Sequence, residues 1–317
     1  MTGFIVETHG LTKQYSSDKS RYAIQDIDLE IPSGELFGLI GPDGAGKSTT
    51  LRILSTVIML TKGQAKVAGF DIKKDAEKIR PIIGYMPQLF SLYPDLSVIE
   101  NMNFFANINQ VPAKDKKDRI KEMLSFTRLD RFQSRRAGNL SGGMKKKLAL
   151  ACSLIHSPKI LFLDEPSTGV DPVSRRELWT MLADVVQQGV TIVVSTPYMD
   201  EAERCHRVGI IYQGKLLAIG APQELEQSLP FEVIEVKAKP RKTMRKVVSE
   251  MDDVLDWRPV GDRLRILAHP NKVKKVVRRL GREFSKNKAD VVLLRQSSRK
   301  MEDVFVYQVS SIGGSHE

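Results

Sequence analysis

The sequence has little of what builds disulfide frameworks or protein-ligated metal centres. Its two cysteines, Cys152 and Cys205, lie far apart without a CxxC spacing, and its five histidines are scattered. Both cysteines read as reduced, structural residues of a cytosolic protein. Aromatics make up only 7% of the chain, which argues against a surface that stacks bases. No apolar run reaches the roughly 18 residues of a membrane-spanning helix, so membrane contact has to come through a partner. The opening MTGFIVETHG lacks a charged-then-apolar leader pattern, and the expected location is cytoplasmic. Positive charge, by contrast, is plentiful. The net charge is +11, yet residues 1–230 carry 29 Lys and Arg against 26 Asp and Glu, and residues 231–317 carry 20 against 12. The pattern changes with the charge near Ser228-Leu229-Pro230, which predicts one domain over 1–230, a small basic domain over 231–309, and a disordered tail over 310–317, SSIGGSHE.

Residues 22–31 alternate Ile27, Leu29 and Ile31 with Asp26, Asp28 and Glu30, the pattern of a strand with one buried face. Three short apolar runs, 36–40, 160–163 and 190–194, read instead as parallel strands covered on both faces. Helical stretches at 47–59, 98–108, 114–126, 142–156 and 173–188 separate them, so the first domain reads as layered α/β. Residues 208–219 read as a hairpin turning at Gln213-Gly214. Beyond 230 the order becomes strand, helix, strand, strand, helix, strand, the βαββαβ order of a ferredoxin-like α+β domain.

Gly41-Pro42-Asp43-Gly44-Ala45-Gly46-Lys47-Ser48-Thr49 follows an apolar strand and opens a helix. The pattern GxxxxGK[ST] in that setting wraps backbone N–H groups around phosphates. Lys47 would offset β/γ-phosphate charge, and the Ser48 hydroxyl would bind Mg2+. The run Ile160-Leu161-Phe162-Leu163 ends in Asp164-Glu165. Two adjacent carboxylates at a strand end point differently, one suited to hold Mg2+ and the other to deprotonate a water. Leu140-Ser141-Gly142-Gly143-Met144 opens another helix with a serine cap, exposing Ser141, Gly142 and Gly143 to a further anion.

With phosphate loop, serine-glycine helix start and paired acids in this order, the chain resembles the ATPase subunits of ABC transporters over about residues 4–225. The wording GPDGAGKST and LFLDEPSTGVDPVSRRELW is most similar to the bacterial branch exporting drugs and other hydrophobic compounds. The resemblance implies a P-loop NTPase fold of ABC type, with a layered sheet core and a helical subdomain. It implies that ATP and Mg2+ are bound, with Glu165 as the principal catalytic group and Asp164 on the metal. It also implies that Tyr15 stacks on adenine, that Gln88 senses the γ-phosphate and touches the metal, and that the loop from Ser167 to Asp171 crosses a dimer interface. ATP would then lie between the phosphate loop of one chain and Ser141-Gly142-Gly143 of a second, either identical or paralogous. Residues 89–105 lie where such ATPases receive the cytoplasmic helices of a membrane permease, which would place the chain on the inner face of the cell membrane. One position departs from the pattern: Pro197 stands where the family usually has a histidine that contacts the γ-phosphate. His206 is a weak substitute, and Pro197 fits as a strand terminator and first-turn residue of a helix, with Thr196 as its cap.

In the basic domain Val273, Val276, Val277 and Leu280 share one helical face, and Lys274, Lys275, Arg278, Arg279 and Arg282 fill the others. The basic side reads either as a solvated outer face or as a contact for anionic lipid; nucleic acid is disfavoured by the missing aromatics. Two functional alternatives stand beside the transporter reading: a P-loop ATPase acting on nucleic acid or ribosomes, and a regulatory ATP-binding module with negligible turnover.

Overall fold

Fourteen strands and eleven α-helices are built from the described residues, 3–15, 22–89 and 92–313, of a computed structural model. They divide into two units, Met1–Pro222 and Gln223–Glu317.

The first unit holds two sheets. An antiparallel sheet orders β2 (Ile24–Pro32), β1 (Phe4–Lys13), β4 (Lys62–Val67) and β5 (Phe70–Asp71). The second runs β10 (Lys215–Gly220), β9 (Arg207–Tyr212), β3 (Leu36–Ile40), β8 (Thr191–Thr196), β7 (Ile160–Asp164) and β6 (Ile83–Met86). Its pairs are parallel apart from the β9–β10 hairpin. β3, β7 and β8 are buried at every position, which is why their sequences run continuously apolar, whereas β2 buries alternate residues and so alternates in sequence.

Helix α1 (Lys47–Leu54) packs between the sheets: Leu51, Ile53 and Leu54 join one core with Leu11, Ile24 and Ile27 on one side and Phe37, Phe162 and Val193 on the other. It is shorter than the apolar pattern to residue 59 suggests, because Thr56 turns left-handed at φ 59° after the cap at Ser55. The β-branched Thr56-Val57-Ile58 propagate a helix less readily than straight-chain residues. Between β5 and β6 lies the short α2 (Ala76–Ile79). Helices α3 (Val98–Ile108), α4 (Ala113–Thr127) and α5 (Gly142–Leu154) pack on one another. The start of α3 is legible in sequence, since Ser97 and Glu100 form a reciprocal capping box. Helix α6 (Pro172–Gln187) follows β7, and α7 (Met199–Ala202) follows β8.

In the second unit β12 (Val254–Val260), β13 (Arg263–Ala268), β11 (Glu232–Lys239) and β14 (Asp290–Ser297) form an antiparallel sheet in that order. Helices α9 (Arg241–Ser249) and α10 (Val273–Lys286) bury Met244, Val247, Val276, Leu280 and Phe284 against Ile234, Val236, Leu264 and Ile266. Helix α8 (Pro222–Gln227) runs across the division of the chain. The Arg299 guanidinium donates to the carbonyls of Glu226, Gln227 and Leu229 and pairs with Glu232, all bonds within the second unit.

The disordered tail expected from residue 310 is not what residues 310–313 form: they end α11 (Met301–Gly313). The buried Asp303 anchors that helix, accepting from Arg265 at 2.6 Å, Arg258 at 2.6 Å and the Lys300 N–H at 2.9 Å. A buried carboxylate holds only when its charge is met this way, and the two arginines come from β12 and β13, out of reach of a local reading. Residues 314–317 lie outside the described residues.

Candidate active site

The chain leaves β3 into the Gly41–Thr49 loop, whose conformation only glycine supports at two points. A Cβ on Gly41 would stand 2.1 Å from the Ile211 carbonyl oxygen, and Gly46, at φ 112°, caps α1 with no room for a side chain. Pro42, Asp43, Gly44 and Ala45 complete the turn, and Thr50 Oγ1 ties back to the Gly46 carbonyl at 3.0 Å. No acidic residue stands in the first turn of α1, so the positive end of its dipole is uncompensated and faces any anion in the loop.

Four elements converge on that loop. Lys47, 3% exposed, donates to the carbonyls of Gly41 at 2.8 Å and Pro42 at 3.0 Å and pairs with Glu165 at 3.3 Å. Glu165 stands just past β7, its backbone at a left-handed φ of 47° and its N–H on the Ser195 hydroxyl and carbonyl. Its Oε2 accepts from Gln88 at 2.9 Å and Thr168 at 3.1 Å. Asp164 is fully buried: Oδ1 accepts from Ser48 at 2.8 Å and Ser195 at 2.7 Å, while Oδ2 has no partner. A buried carboxylate oxygen without a donor, beside a serine hydroxyl, fits a hard cation or its water, because Mg2+ is held by one or two carboxylates plus substrate phosphates. Among the described residues no three His, Cys, Asp or Glu side chains group as a metal cage. Tyr15 is 59% exposed, its hydroxyl 3.4 Å from that of Thr49, so an open ring borders the loop.

The other expected site residues form a separate cluster in the same chain. Ser141 caps α5, accepting from Met144 N–H at 3.3 Å, and no acid stands in the first turn of that helix. A Cβ on Gly143 would lie 2.4 Å from Ser174 Oγ, so the glycine admits the start of α6. Asp171 caps α6, accepting from Val173 and Ser174, and those donors hold its carboxyl below the usual aspartate range. Gly142 and Ser141 are exposed, leaving this helix start open to solvent within one chain.

Pro197 is explained by the strand it ends. On β8, Thr196 pairs with Ile40, the last residue of β3, and its carbonyl accepts from Gly41 N–H at 3.4 Å. The Ser195 carbonyl faces β7, where it accepts from Glu165 N–H, so alternation turns position 197 back toward β7. That strand ends at Asp164 and the next carbonyl, of Glu165, accepts instead from Thr168 N–H and Lys146, so a proline at 197 removes no ladder bond. Pro197 does not occupy a first helical turn as expected, because Tyr198 is the cap of α7 and Thr196 Oγ1 receives the Tyr198 N–H at 3.0 Å. His206 cannot replace a phosphate contact: its Nδ1 accepts from Leu36 N–H at 2.9 Å, at the opposite end of β3.

Sequence reasoning missed three contributors. Ser195 holds both acids, Thr168 holds Glu165, and Lys146 donates to the carbonyls of Gln88 at 3.0 Å and Glu165 at 3.4 Å. Burial pulls the Lys146 ammonium below the usual lysine range, against the opposing pull of Glu165 and Asp164. Within Lys145-Lys146-Lys147 no local signal separates the one that turns inward to these carbonyls.

A phosphate loop, a serine bonded to a buried carboxylate, a second acid bound to a glutamine, and a serine-glycine helix start together have the make-up of an ATP-binding cassette. Residues 24–168 match the ABC transporter family, and the chain belongs to it. It is 44% identical over 229 residues to the probable multidrug ABC transporter ATP-binding protein YbhF of Escherichia coli (strain K12), covering 72% of this chain and 39% of that protein. It is 34% identical over 270 residues to the daunorubicin resistance ATP-binding protein DrrA2 of Streptomyces coeruleorubidus, covering 85% of this chain and 83% of that one. Among solved structures, a dimeric post-hydrolysis state of the ATP-binding cassette MJ0796 bound to ADP and Pi superposes with a TM-score of 0.63 and 26% identity, over 68% of this chain and 98% of that one.

Proposed function

We propose that this chain binds and hydrolyses ATP to power a separate membrane permease that exports drugs or other hydrophobic compounds. The observation that carries it is the convergence of Lys47, Ser48, Gln88, Asp164 and Glu165 on one loop. The relatives are named for multidrug, daunorubicin and Nod factor export, which fits this reading and not a nucleic-acid or ribosome ATPase.

Lys47 pairs with Glu165 at 3.3 Å. A triphosphate entering the loop draws the Lys47 ammonium to its β/γ oxygens, which frees the carboxylate. Glu165 then takes a proton from water as the water oxygen bonds to the γ-phosphorus and the bond to the β-phosphate oxygen breaks, leaving ADP and phosphate. Ser48, Asp164 and Gln88 would hold Mg2+, which supplies neutralisation of phosphate charge when bound. Tyr15 offers its ring to the adenine. Ser141, Gly142, Gly143 and Asp171 serve the nucleotide of a second chain, identical or paralogous, since they stand apart from this chain's own loop.

The permease seat we assign to a groove of 480 Å3 lined by Tyr85, Leu92, Phe105, Ile108 and Cys152; the expected docking segment 89–105 supplies Leu92 and Phe105, and residues 90–91 lie outside the described residues. No helix among the described residues is long and apolar enough to cross a membrane, so the groove carries the attachment to the inner face. The second unit, with strands ordered β12-β13-β11-β14 and both α9 and α10 on one core, we read as ferredoxin-like. Its outer basic residues Lys274, Arg278 and Arg282 are exposed and suit anionic lipid headgroups.

The deciding experiment is nucleotide binding by Lys47→Ala. Losing a charge-assisted partner of the phosphates should weaken ATP binding by about 2–3 kcal/mol, more than tenfold. Unchanged affinity would remove the phosphate-loop assignment. Co-purification of a membrane protein with the chain from detergent extracts tests the permease.

A further inference from the structure

We propose that Lys146 is a positioning residue for hydrolysis, linking the serine-glycine helix α5 to the Gln88–Glu165 pair. Its ammonium donates to the backbone carbonyls of both residues, at 3.0 Å and 3.4 Å. The side chains of the same two residues bond each other at 2.9 Å. The contacts therefore close a ring: Lys146 to the Gln88 backbone, out through its side chain to the Glu165 carboxylate, and back through the Glu165 backbone.

The ring matters because of the conformation it holds. Glu165 sits at φ 47°, a left-handed backbone that a residue with a Cβ adopts at a cost and only when surrounding bonds over-determine it. Its N–H is held by Ser195 and its carbonyl by Thr168 N–H and Lys146. The Gln88 carbonyl accepts from the Lys146 ammonium. Lys146 therefore sets how far the glutamine-bearing loop stands from the carboxylate-bearing turn. Because it projects from the helix whose first turn carries Ser141, Gly142 and Gly143, a displacement of that helix start is transmitted to the catalytic carboxylate through one side chain. Lys147, the next residue, is committed elsewhere, to Glu177.

This proposal rests on Glu165 being the base, and the experiment separates the two. The purified full chain is assayed for steady-state ATP turnover over a range of ATP concentrations. Lys146→Met keeps the stem and removes the donors; it should lower kcat about 10- to 100-fold, the usual cost of losing a positioning partner, with KM within about twofold of the parent. Lys146→Arg, which keeps a cation with several donors, should recover most of the loss. In a Gln88→Ala background, where the ring is already open, Lys146→Met should cost no more than about a further twofold. Should Lys146→Met melt below the assay temperature, Lys146→Gln takes its place with the same expectations. A parental kcat in the Met or Gln variant, an Arg variant no better than Met, or a full multiplicative loss in the Gln88→Ala background each overturns the role of Lys146. If Glu165→Gln turns over at the parental rate, the base assignment fails and this role with it; if that variant is inactive while Lys146→Met is unaffected, only Lys146 is wrongly placed.

Discussion

Replacing Glu165 with glutamine separates three properties that the structure ties together. The carboxylate is 4% exposed; it pairs with Lys47 at 3.3 Å and accepts from Gln88 and Thr168. Glutamine has the same shape, so packing is kept, but its amide presents an N–H2 to donors that need an acceptor. Removing one member of a buried pair costs about 3–5 kcal/mol when the other charge is left alone. Lys47 is not left alone, because the Gly41 and Pro42 carbonyls still accept from it. The cost should therefore fall to about 1–3 kcal/mol, that of a mispaired buried polar group. At about 2–4 °C per kcal/mol for a unit of this size, the nucleotide-free chain should melt several degrees lower. ATP affinity should rise, since the triphosphate no longer breaks the Lys47–Glu165 pair to engage Lys47. Turnover should fall by about 10²–10⁴-fold with the base gone. The assays are differential scanning calorimetry without nucleotide, equilibrium binding of a fluorescent ATP analogue, and steady-state phosphate release. Turnover at the parental rate refutes Glu165 as base. Weaker nucleotide binding refutes the idea that Glu165 competes with phosphate for Lys47, even if catalysis is lost.

Ending the chain after Pro222 should leave a folded unit that binds nucleotide, since every site residue precedes that point and the core of the first unit draws only on residues before it; an insoluble or non-binding fragment would show that the two parts fold as one. His156 is held below its ordinary pKa of 6.5 first by burial and then by Arg119, against the bond between its ring and the Ile83 carbonyl. The unfolded chain therefore takes up a proton below about pH 6.5 that the folded chain refuses, so stability present above that pH is lost as the pH falls, by at most about 1.4 kcal/mol per unit. His156→Gln should flatten that slope in urea midpoints taken at a series of pH values, and an unchanged slope would locate the titration elsewhere. Pro197→His should raise kcat, by up to about 10²-fold if the imidazole reaches the γ-phosphate, with ATP affinity little changed; steady-state kinetics showing no gain would mean that the turn at Tyr198 fixes residue 197 out of reach.

Local chemistry alone determined the phosphate loop, the paired acids and the α/β alternation. GxxxxGKS can form only a glycine-dependent turn at a helix start, and the runs 36–40, 160–163 and 190–194 are apolar throughout because parallel strands bury both faces. The capping box of Ser97 and Glu100, found in the structure, fixes the start of α3 by local chemistry of the same kind. The sequence also showed that residue 197 could not donate, but not why that was harmless; the answer lies in β7, which faces that position, ending at Asp164. What only tertiary structure decided are the long-range partners of charged and polar side chains. Nothing near Lys146 distinguishes it from Lys145 and Lys147, and its role appears only when β6 and β7 bring the carbonyls of Gln88 and Glu165 to it. Ser195 became part of the site because β8 lies beside β7 and pairs with Asp164. Helix α11 escaped sequence reading because its anchor, Asp303, is stabilised by Arg258 and Arg265 on strands more than thirty residues earlier. Hydrophobic periodicity is written along the chain, but the partner that makes a buried charge affordable is chosen by the fold.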